Sequence, residues 1–470
     1  MIEVYPFSGY PVAVMGLGKS GLATAEALRA AGAEVWAWDD SEAKRAEAKA
    51  KGFEPVDLTA CDWNELTSLV LSPGIPHTHP KPHPVAALAR QHKIEIIGDI
   101  ELLARCERQA SFIGVTGTNG KSTTTALIGH ILKKAGKRAA VGGNIGMPVL
   151  ALDPIGDGIY VLEMSSYQLE LTVSLTFDVA VLINVSPDHL DRHGGMDGYI
   201  AAKKLIFHRQ TTPRTAVVGV DDPHSLTLHD ELMRVGDQHV IAISAARRLD
   251  RGVYVEDGLL YDAIQGPAQK VGDLRPIPTL PGQHNWQNAA AAYAACRAIG
   301  VEATIIVEAM ASYPGLAHRQ ETVAVIGGLT LVNDSKATNA DAAAKALGCY
   351  DAIYWIAGGR AKEGGITSLA PLFGRIRHAY LIGESAQTFA GSLPASVPHE
   401  INGTLEAAVK AAHRDAIKDS VTGAVILLSP AAASFDQFAN FEARGDEFRR
   451  LALALPGATA PAAATQGGRA

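Results

Sequence analysis

The chain has 470 residues, of which 47% are hydrophobic and 19% charged, a composition typical of a globular protein with several cores. Its 49 acidic and 42 basic residues give a net charge of −7, which excludes a dominant basic surface for nucleic acid. We recognise no signal peptide and no apolar run of about 18 residues that could cross a membrane. The four cysteines form no CxxC pair, so we expect reduced thiols in a cytoplasmic protein. We also expect a monomer without membrane insertion.

Short β-rich segments alternate with Ala- and Leu-rich helical segments, a pattern typical of parallel sheets covered by helices. We predict three α/β segments with boundaries near residues 109 and 315, followed by a flexible Ala/Pro/Gly-rich tail. The clearest predicted strands are residues 12–15, 34–38, 179–185, 329–332, 353–357, 379–382 and 425–429, and the clearest helices are residues 22–31 and 288–299.

The segment GTNGKST at residues 117–123 lies between a predicted strand and a predicted helix. In such a loop, backbone N–H groups and the helix N-terminus favour a triphosphate. Lys121 would supply a cation for the β- and γ-phosphates, and the Ser122 hydroxyl would ligate Mg²⁺. Val115 stands where the strict motif has glycine, so this is a variant of the motif. The alternative is a Gly-rich turn with a helix cap from Thr118 or Asn119 and no ligand.

A second glycine pattern, GLGKSG at residues 16–21, follows the first predicted strand, and Asp39 closes the next one. Its glycines allow a diphosphate to approach the backbone, and Asp39 could bind a ribose hydroxyl. NAD and UDP fit these requirements equally well. The phosphate loop further along the chain favours a nucleotide-activated substrate here and ATP in the middle segment, although a turn without any ligand remains the alternative.

Other candidate residues follow predicted strands. Glu163 ends one strand and suits Mg²⁺, which prefers a few oxygen ligands. His189 follows another strand and is a less usual ligand for so hard an ion, so by itself it would more often be a hydrogen-bonding residue. In NDSKATN at residues 333–339, Asp334 could reach a ribose and Lys336 a phosphate, or the segment could only cap a helix.

Together these motifs resemble the Mur ligases in kind and in order: GTNGKST at 117–123, ESS from Glu163, DHLDRH at 188–193, His318-Arg319 and NDSKATN at 333–339. The resemblance covers the whole chain except the tail. It implies a Rossmann-like UDP-substrate domain (1–108), a central P-loop ATPase-type α/β domain for ATP (109–314), a C-terminal Rossmann-like α/β domain for the amino acid (315–455), and a flexible tail (456–470).

Within that family the motifs are most similar to those of the ligases that add D-glutamate to UDP-N-acetylmuramoyl-L-alanine in peptidoglycan precursor synthesis. The implied chemistry uses ATP to convert a carboxylate into an acyl phosphate, which the amine of the amino acid then attacks. The DNPR signature of the relatives that add diaminopimelate or lysine is absent from the C-terminal third.

The resemblance also implies roles for individual residues. At the reacting centre it places Lys121, Asn144, His189, Lys203 and Lys336. It implies two Mg²⁺ ions, one on Ser122 and Glu163, the other on His189 and a carbamylated Lys203. The ATP site comprises Gly117, Thr118, Asn119, Gly120, Lys121, Ser122, Thr123, Asn285, Asn288, Arg319 and Asp334. The uridine-nucleotide site comprises Gly18, Ser20, Asp39, Ser72 and Gly74, and the amino-acid pocket Thr338, Lys362, Ser434 and Phe441.

Three other hypotheses account for part of the sequence. A nicotinamide-dependent oxidoreductase explains GLGKSG and Asp39 but leaves GTNGKST and NDSKATN without a role. An ATP-driven switch explains the phosphate loop and would hydrolyse ATP without a carboxylate acceptor. A folylpolyglutamate-type ligase is the nearest enzymatic alternative, and the UDP-type N-terminal segment disfavours it.

Overall fold

The computed structural model describes residues 1–362 and 364–461, and within them the strands form three sheets of four, nine and six strands. The central strands are buried without alternation, as in the VAVL segment of Val179–Leu182. Such continuous burial arises because helices cover both faces of a parallel sheet. The fold is therefore α/β, as predicted.

The first sheet is parallel throughout and has the strand order β2-β1-β3-β4. Its elements are β1 (Pro11–Met15), α1 (Lys19–Ala30), β2 (Glu34–Trp38), α2 (Glu42–Ala50), β3 (Ser68–Leu71), α3 (Pro84–Gln91), β4 (Glu95–Ile97) and α4 (Asp99–Cys106). The chain leaves β1 towards β2 and returns to β3 on the other side. The carboxyl ends of β1 and β3 therefore flank a crevice of the kind in which α/β sheets bind ligands.

The second sheet has the order β13-β12-β11-β10-β9-β8-β5-β7-β6. Its strands are β5 (Ser111–Thr116), β6 (Ala139–Gly143), β7 (Ile159–Glu163), β8 (Val179–Leu182), β9 (Thr215–Gly219), β10 (His239–Ser244), β11 (Gly252–Glu256), β12 (Leu259–Ala263) and β13 (Gln269–Asp273). Its helices are α5 (Lys121–Lys134), α6 (Ser166–Glu170), α7 (Leu190–His193), α8 (Met196–Lys204), α9 (Pro223–Val235), α10 (Gln283–Ala298) and α11 (Ala303–Ala311). Because β5 lies between β7 and β8, the loop after β5 is flanked by the ends of both.

The third sheet has the order β14-β15-β19-β16-β17-β18. Its elements are β14 (Glu321–Ile326), β15 (Leu329–Asn333), α12 (Ala340–Leu347), β16 (Ile353–Gly358), β17 (Ile376–Ile382), α13 (Ala386–Ser392), β18 (His399–Gly403), α14 (Leu405–Asp419), β19 (Val425–Leu428) and α15 (Phe441–Leu453). The last strand, β19, inserts between β15 and β16, so the loops that follow these three strands are neighbours. Within the predicted tail, Thr459 pairs with Val325 of β14, and residues 462–470 lie outside the described residues.

Within the described residues, three hairpins, β11–β12, β12–β13 and β14–β15, add antiparallel pairs to sheets that are otherwise parallel, as the pattern of the sequence favours. Asp257 and Gly258 join β11 to β12 with φ angles of +50° and +77°, and Gly327 and Gly328 join β14 to antiparallel β15. Two-residue loops of this composition favour hairpins because left-handed conformations match the twist of the strands. β11 pairs parallel with β10 and antiparallel with β12, so only the outer part of the second sheet is antiparallel.

Residue contacts divide the chain into two compact units. The first contains Met1–Pro276 and Asn285–Ala311, and therefore the first two sheets; the second contains Ile277–His284 and the residues from Ser312 onward, and therefore the third sheet. The domain boundaries near residues 109 and 315 stay predictions. Among the helices of the described residues, none combines the length and the apolar character that crossing a bilayer requires.

Glu101 of α4 joins the first sheet to the second. This fully buried carboxylate accepts hydrogen bonds from the N–H groups of Val173 (2.8 Å) and Ser174 (2.9 Å), from the Ser174 hydroxyl (2.5 Å) and from Arg105 Nε (2.9 Å). Burial acts to raise the pKa of Glu101, but these hydrogen bonds lower it. The two sheets of the first unit are thus connected through a charged acceptor with several donors.

Candidate active site

The central phosphate loop lies between β5 and α5. Gly117 and Gly120 have φ angles of +152° and +87°, in the region that favours glycine. A Cβ atom at Gly120 would lie 2.1 Å from Asn288 Oδ1, so a larger residue could not replace this glycine without movement of the loop or of α10. Lys121 is the first residue of α5, and its Nζ donates hydrogen bonds to the carbonyl oxygens of Gly117 and Thr118, both at 3.0 Å.

Asn184, just beyond β8, holds the first half of this loop. Its backbone carbonyl accepts from Thr118 N–H and its Oδ1 accepts from Asn119 N–H, both at 2.9 Å. The predicted strand of residues 179–185 ends at Leu182 because the chain turns here towards the loop. Since two loop N–H groups bond to Asn184, a phosphate would meet the second half of the loop and the first turn of α5, where Ser122 and Thr123 lie.

Glu163 ends β7 directly beside β5 and is 2% exposed. Asn144 donates to Glu163 twice, from Nδ2 to Oε1 at 3.0 Å and from its N–H to the backbone carbonyl at 2.9 Å. The other carboxylate oxygen, Oε2, is buried and has no hydrogen-bond partner among the described residues. A buried carboxylate oxygen without a donor is costly, and a hard divalent cation removes that cost. Glu163 therefore fits Mg²⁺, and Ser122 is the second residue of α5, the helix that begins after the adjacent strand β5.

Lys203 of α8 lies beneath the same loop. It is 1% exposed, its Nζ donates to Gly117 O at 2.8 Å, and it lies 4.6 Å from the centre of the Tyr199 ring. Burial and the charge of Lys121 hold the pKa of Lys203 well below its usual range, and Asp188 opposes them. These surroundings favour the neutral amine, which is the nucleophilic form of a lysine.

The histidines of DHLDRH occupy two different environments. His189 has a φ of +51° and a half-exposed ring, with Nε2 3.4 Å from Asp188 Oδ2. His193, for which we predicted no role, is buried, with Nε2 2.9 Å from Ser166 Oγ and its ring stacked on Tyr167. Burial lowers the pKa of His193 to about 4, so it is a neutral packing residue in the ordinary pH range.

Asn285 and Asn288 lie on one face of α10, where residues three apart are neighbours. Both are buried, and Asn288 Nδ2 donates to Asn285 Oδ1 at 3.1 Å. Because Asn288 Oδ1 also approaches Gly120, this pair lies at the edge of the phosphate loop. The structure thus brings together the central-segment residues predicted for ATP.

The N-terminal glycine loop is held by a carboxylate. Asp39 accepts from Leu17 N–H at 2.7 Å through Oδ2 and from Ser41 N–H at 2.8 Å through Oδ1. Ser72 Oγ donates to Gly16 O at 3.0 Å, and Gly74 O accepts from Arg192 Nη1 of α7 at 2.9 Å. The residues predicted for the uridine nucleotide, including Gly18 and half-buried Ser20 at the start of α1, therefore surround the ends of β1 and β3.

In the second unit, Asp334 follows β15 and is buried. It accepts from Ser429 Oγ at 2.8 Å and from Gln320 N–H at 3.2 Å, and burial raises its pKa to about 7. The chain around Arg319 returns to this loop, because Lys336 N–H donates to His318 O at 3.0 Å. Lys336 Nζ lies 4.0 Å from the centre of the Phe441 ring, which brings two predicted site residues together.

Three loops meet at the carboxyl ends of β15, β16 and β19. Backbone hydrogen bonds between Arg360 and Ala433, at 2.8 and 2.9 Å, join the loop of Lys362 to that of Ser434. Buried Arg444, for which we predicted no role, donates to Ser335 Oγ, Ser335 O and Ala432 O at 2.9, 2.9 and 3.1 Å. These loops carry the residues predicted for the amino acid, namely Thr338, Lys362, Ser434 and, at the start of α15, Phe441.

A phosphate loop beside a buried carboxylate defines a class, the Mg²⁺-nucleotide enzymes, and comparison with known proteins narrows it. The model of the Mur ligase middle domain matches residues 115–296. The UDP-N-acetylmuramoylalanine–D-glutamate ligase of Rhodospirillum rubrum is 56% identical over 475 residues, covering 100% of this chain and 99% of that protein. The protein of the same name from Phenylobacterium zucineum is 52% identical over 470 residues, covering 98% and 100%.

Among solved structures, the UDP-N-acetylmuramate–alanine ligase of Thermotoga maritima is similar in fold, with a TM-score of 0.58 and 18% identity over 94% of this chain and 98% of that one. This likeness supports the fold. The sequence identity to the two curated relatives, which extends over the full chain, shows the family as well. The chain belongs to the Mur ligase family. It is an ATP-dependent ligase that forms an amide bond.

Proposed function

We propose that this chain joins D-glutamate to UDP-N-acetylmuramoyl-L-alanine and converts ATP to ADP and phosphate, a step of peptidoglycan precursor synthesis. The observation that carries the proposal is the position of Glu163 Oε2, buried and without a donor among the described residues, on the strand beside the phosphate loop. The names of the two relatives that match the chain from end to end supply the substrates.

The reaction has two steps. A carboxylate oxygen of the alanine residue attacks the γ-phosphorus of ATP, the bond to the β–γ bridging oxygen breaks, and ADP leaves. The lone pair of the D-glutamate amine then attacks the acyl carbon, and the tetrahedral intermediate loses phosphate and a proton to give the amide. Lys121 and the N-terminus of α5 neutralise the charge on the transferred phosphoryl group, which is the main requirement of such a transfer.

Ser122 and Glu163 would hold one Mg²⁺, which supplies further neutralisation of the phosphoryl oxygens when it is bound. Asn144 fixes the orientation of the Glu163 carboxylate, because its side chain donates to Oε1 and leaves Oε2 unpartnered. Asn144 is also exposed, so its amide can contact a substrate near the reacting carboxylate. We assign Asn285 and Asn288 to the nucleoside side of ATP and, in the second unit, Arg319 and Asp334 to its phosphates and ribose.

We also propose that Lys203 is carbamylated and that, with His189, it holds a second Mg²⁺. The neutral Nζ adds to the carbon of CO₂ and loses a proton, so a site that an ammonium would make positive becomes negative. Burial and the neighbouring charge of Lys121 favour the neutral amine that this addition needs. Carbon NMR of the enzyme in ¹³C-bicarbonate should show one carbamate signal that is absent from Lys203→Arg. A fully active enzyme with an unmodified Lys203 in its intact mass would contradict this assignment.

The uridine nucleotide is assigned to Gly18, Ser20, Asp39, Ser72 and Gly74, and the amino acid to Thr338, Lys362, Ser434 and Phe441, with Lys336 beside the attacking amine. The first set surrounds the crevice between β1 and β3, and the second lies on the loops after β15, β16 and β19 or at the start of α15. Both are the ends of parallel strands, where side chains from several loops converge on a ligand.

The test is phosphate release with each substrate omitted in turn. We expect release only when ATP, UDP-N-acetylmuramoyl-L-alanine and D-glutamate are all present, with a product whose mass equals that of the two substrates minus water. A panel containing L-glutamate, L-alanine and diaminopimelate in place of D-glutamate examines selectivity. Faster release with one of these would refute the assignment of D-glutamate while leaving the ligase chemistry intact.

A further inference from the structure

A chain of side-chain amides connects the phosphate loop to a carboxylate on the far side of β8. Asn184 Oδ1 accepts from Asn119 N–H of the loop at 2.9 Å, and Asn184 Nδ2 donates to Gln287 Oε1 at 3.2 Å. Gln287 Nε2 then donates to Asp221 Oδ2 at 3.0 Å. Gln287 is 8% exposed and lies in α10 between Asn285 and Asn288.

The direction of this chain is fixed at both ends. The loop end is an N–H group, which can only donate, and the other end is a carboxylate, which can only accept when ionised. Each amide between them therefore has one orientation in which both of its groups are bonded. A flipped Gln287 would point its carbonyl at Asp221 and its NH₂ group at the NH₂ group of Asn184.

Asp221 is itself firmly held. Its Oδ1 accepts from Ser244 Oγ at 2.5 Å and its Oδ2 from Ala245 N–H at 2.8 Å, both at the carboxyl end of β10. Hydrogen bonds to an ionised acceptor are stronger than those between neutral groups. The carboxylate thus anchors the chain of side-chain amides to β9 and β10. These two strands contribute no residue to the proposed ATP site.

We propose that Gln287 is a positioning residue for ATP. By bonding to both Asp221 and Asn184, it fixes the Asn184 amide that holds the phosphate loop. Asn184 holds the Thr118 and Asn119 peptides, and these peptides determine how the N–H groups from Gly120 onward face the triphosphate. Without Gln287, Asn184 loses the partner that fixes its amide, and the loop gains alternative conformations. The nucleotide must then select one of them, which weakens ATP binding.

The inference rests on the proposed ATP site, and kinetic constants for the two substrates test it. Gln287→Met keeps the length of the side chain and removes both hydrogen bonds, so we expect the KM for ATP to rise about five- to tenfold. The KM for UDP-N-acetylmuramoyl-L-alanine should stay within about twofold, because the uridine site lies in the first sheet. Gln287→Glu should raise the KM for ATP further, since it places a second carboxylate against Asp221.

The control is Gln269→Met, the same chemical change at an exposed position of β13, which should leave both constants unchanged. Urea midpoints of the free proteins report any general loss of structure. Should Gln287→Met not fold, Ser244→Ala is expected to raise the same constant by a smaller factor. This change removes the hydroxyl that donates to Asp221 and that also accepts from Ala246 N–H and Arg247 N–H.

Two results would overturn the inference: folded Gln287 variants with the KM for ATP of the unsubstituted protein, or variants in which both KM values rise equally. Lys121→Met, measured in parallel, separates this failure from that of the proposed function. If Lys121→Met turns over ATP normally, the proposed ATP site is wrong. If it is inactive while the Gln287 variants are normal, only the role of Gln287 is wrong.

Discussion

The two glycine loops of the first unit have the same backbone plan and opposite electrostatic surroundings. Each follows a central strand of a mainly parallel sheet and leads into a helix, after β1 and after β5. The central loop is held by the ammonium of Lys121, whereas the N-terminal loop is held by the carboxylate of Asp39. A glycine loop therefore provides room for phosphate groups. The charges beside it determine which ligand fits better, a triphosphate with Mg²⁺ or a nucleoside diphosphate whose ribose hydroxyls can bond to a carboxylate.

Removal of the central cation should have the largest effect. We expect Lys121→Met to lower kcat about a thousandfold, because the charge that develops on the transferred phosphoryl group loses a fixed counter-charge. The measurement is steady-state phosphate release at saturating substrates. Lys133→Met, an exposed change in the last turn of the same helix, is the matched control and should behave normally. A kcat within about threefold of normal for Lys121→Met would contradict the role of this loop.

The next effect concerns Glu163, the buried carboxylate on the strand beside the central loop. Glu163→Gln keeps the shape of the side chain and the contact with Asn144 but removes the charge, so we expect kcat to fall about a hundredfold. The Mg²⁺ concentration that gives half-maximal rate should rise as well. Glu302→Gln, at an exposed position of the same unit, serves as the control. An unchanged Mg²⁺ dependence would show that Glu163 is not a ligand.

At the N-terminal loop the expected effect is smaller and falls on the other substrate. The two carboxylate oxygens of Asp39 accept hydrogen bonds from Leu17 N–H and Ser41 N–H. Asp39→Asn replaces one of these oxygens with an NH₂ group, which donates and cannot accept. We expect the KM for UDP-N-acetylmuramoyl-L-alanine to rise about tenfold while that for ATP is unchanged. Asp40→Asn, one residue along and mostly exposed, is the matched control. Equal changes in both constants would mean that the two loops do not bind different nucleotides.

Local patterns in the sequence identify both loops and the strands before them. The strand ending at Glu163 and the helix starting near Lys121 follow from short segments whose hydrophobic pattern and glycines are local properties. The hairpin at Asp257-Gly258 was predictable from the same kind of signal, a two-residue turn between apolar segments, although it was not predicted. The helix α10 begins five residues earlier than predicted because GQHNW contains few apolar residues to indicate it.

The supporting residues of the site were not predictable in this way. Asp221 and Gln287 are 66 residues apart in the chain, and their hydrogen bond exists only because β9 and α10 meet in the fold. Arg444 likewise bonds Ser335 across 109 residues. A glutamine or an arginine in a helix gives no local indication that it is buried. A motif therefore reveals the ligand-facing residues and not those that orient them.

The smallest effect is expected at Asp99, which lines a small cavity with Ser20 and Ser72, and it concerns stability and not turnover. Burial raises the pKa of Asp99 from 3.8 to about 6, although backbone hydrogen bonds from Ile100 and from Asp99 itself act to lower it. The folded protein therefore binds this proton more tightly than the unfolded chain does, and the stability that the neutral carboxyl contributes is lost as pH rises from about 4 through about 6.

Asp99→Asn removes this titration. We therefore compare the unfolding free energies of the two proteins, taking that of the unsubstituted protein minus that of the variant. This difference should fall by about 2 kcal/mol as the pH rises from about 4.5 to about 7.5. Urea unfolding at intervals across that range measures the difference. The corresponding difference for Glu101→Gln, on the same helix, should change in the opposite direction, since hydrogen bonds lower the pKa of that carboxylate. If the difference for Asp99 does not change with pH, water or a further donor reaches its carboxylate. Hydrogen bonds would then stabilise the ionised form of Asp99 as they stabilise that of Glu101.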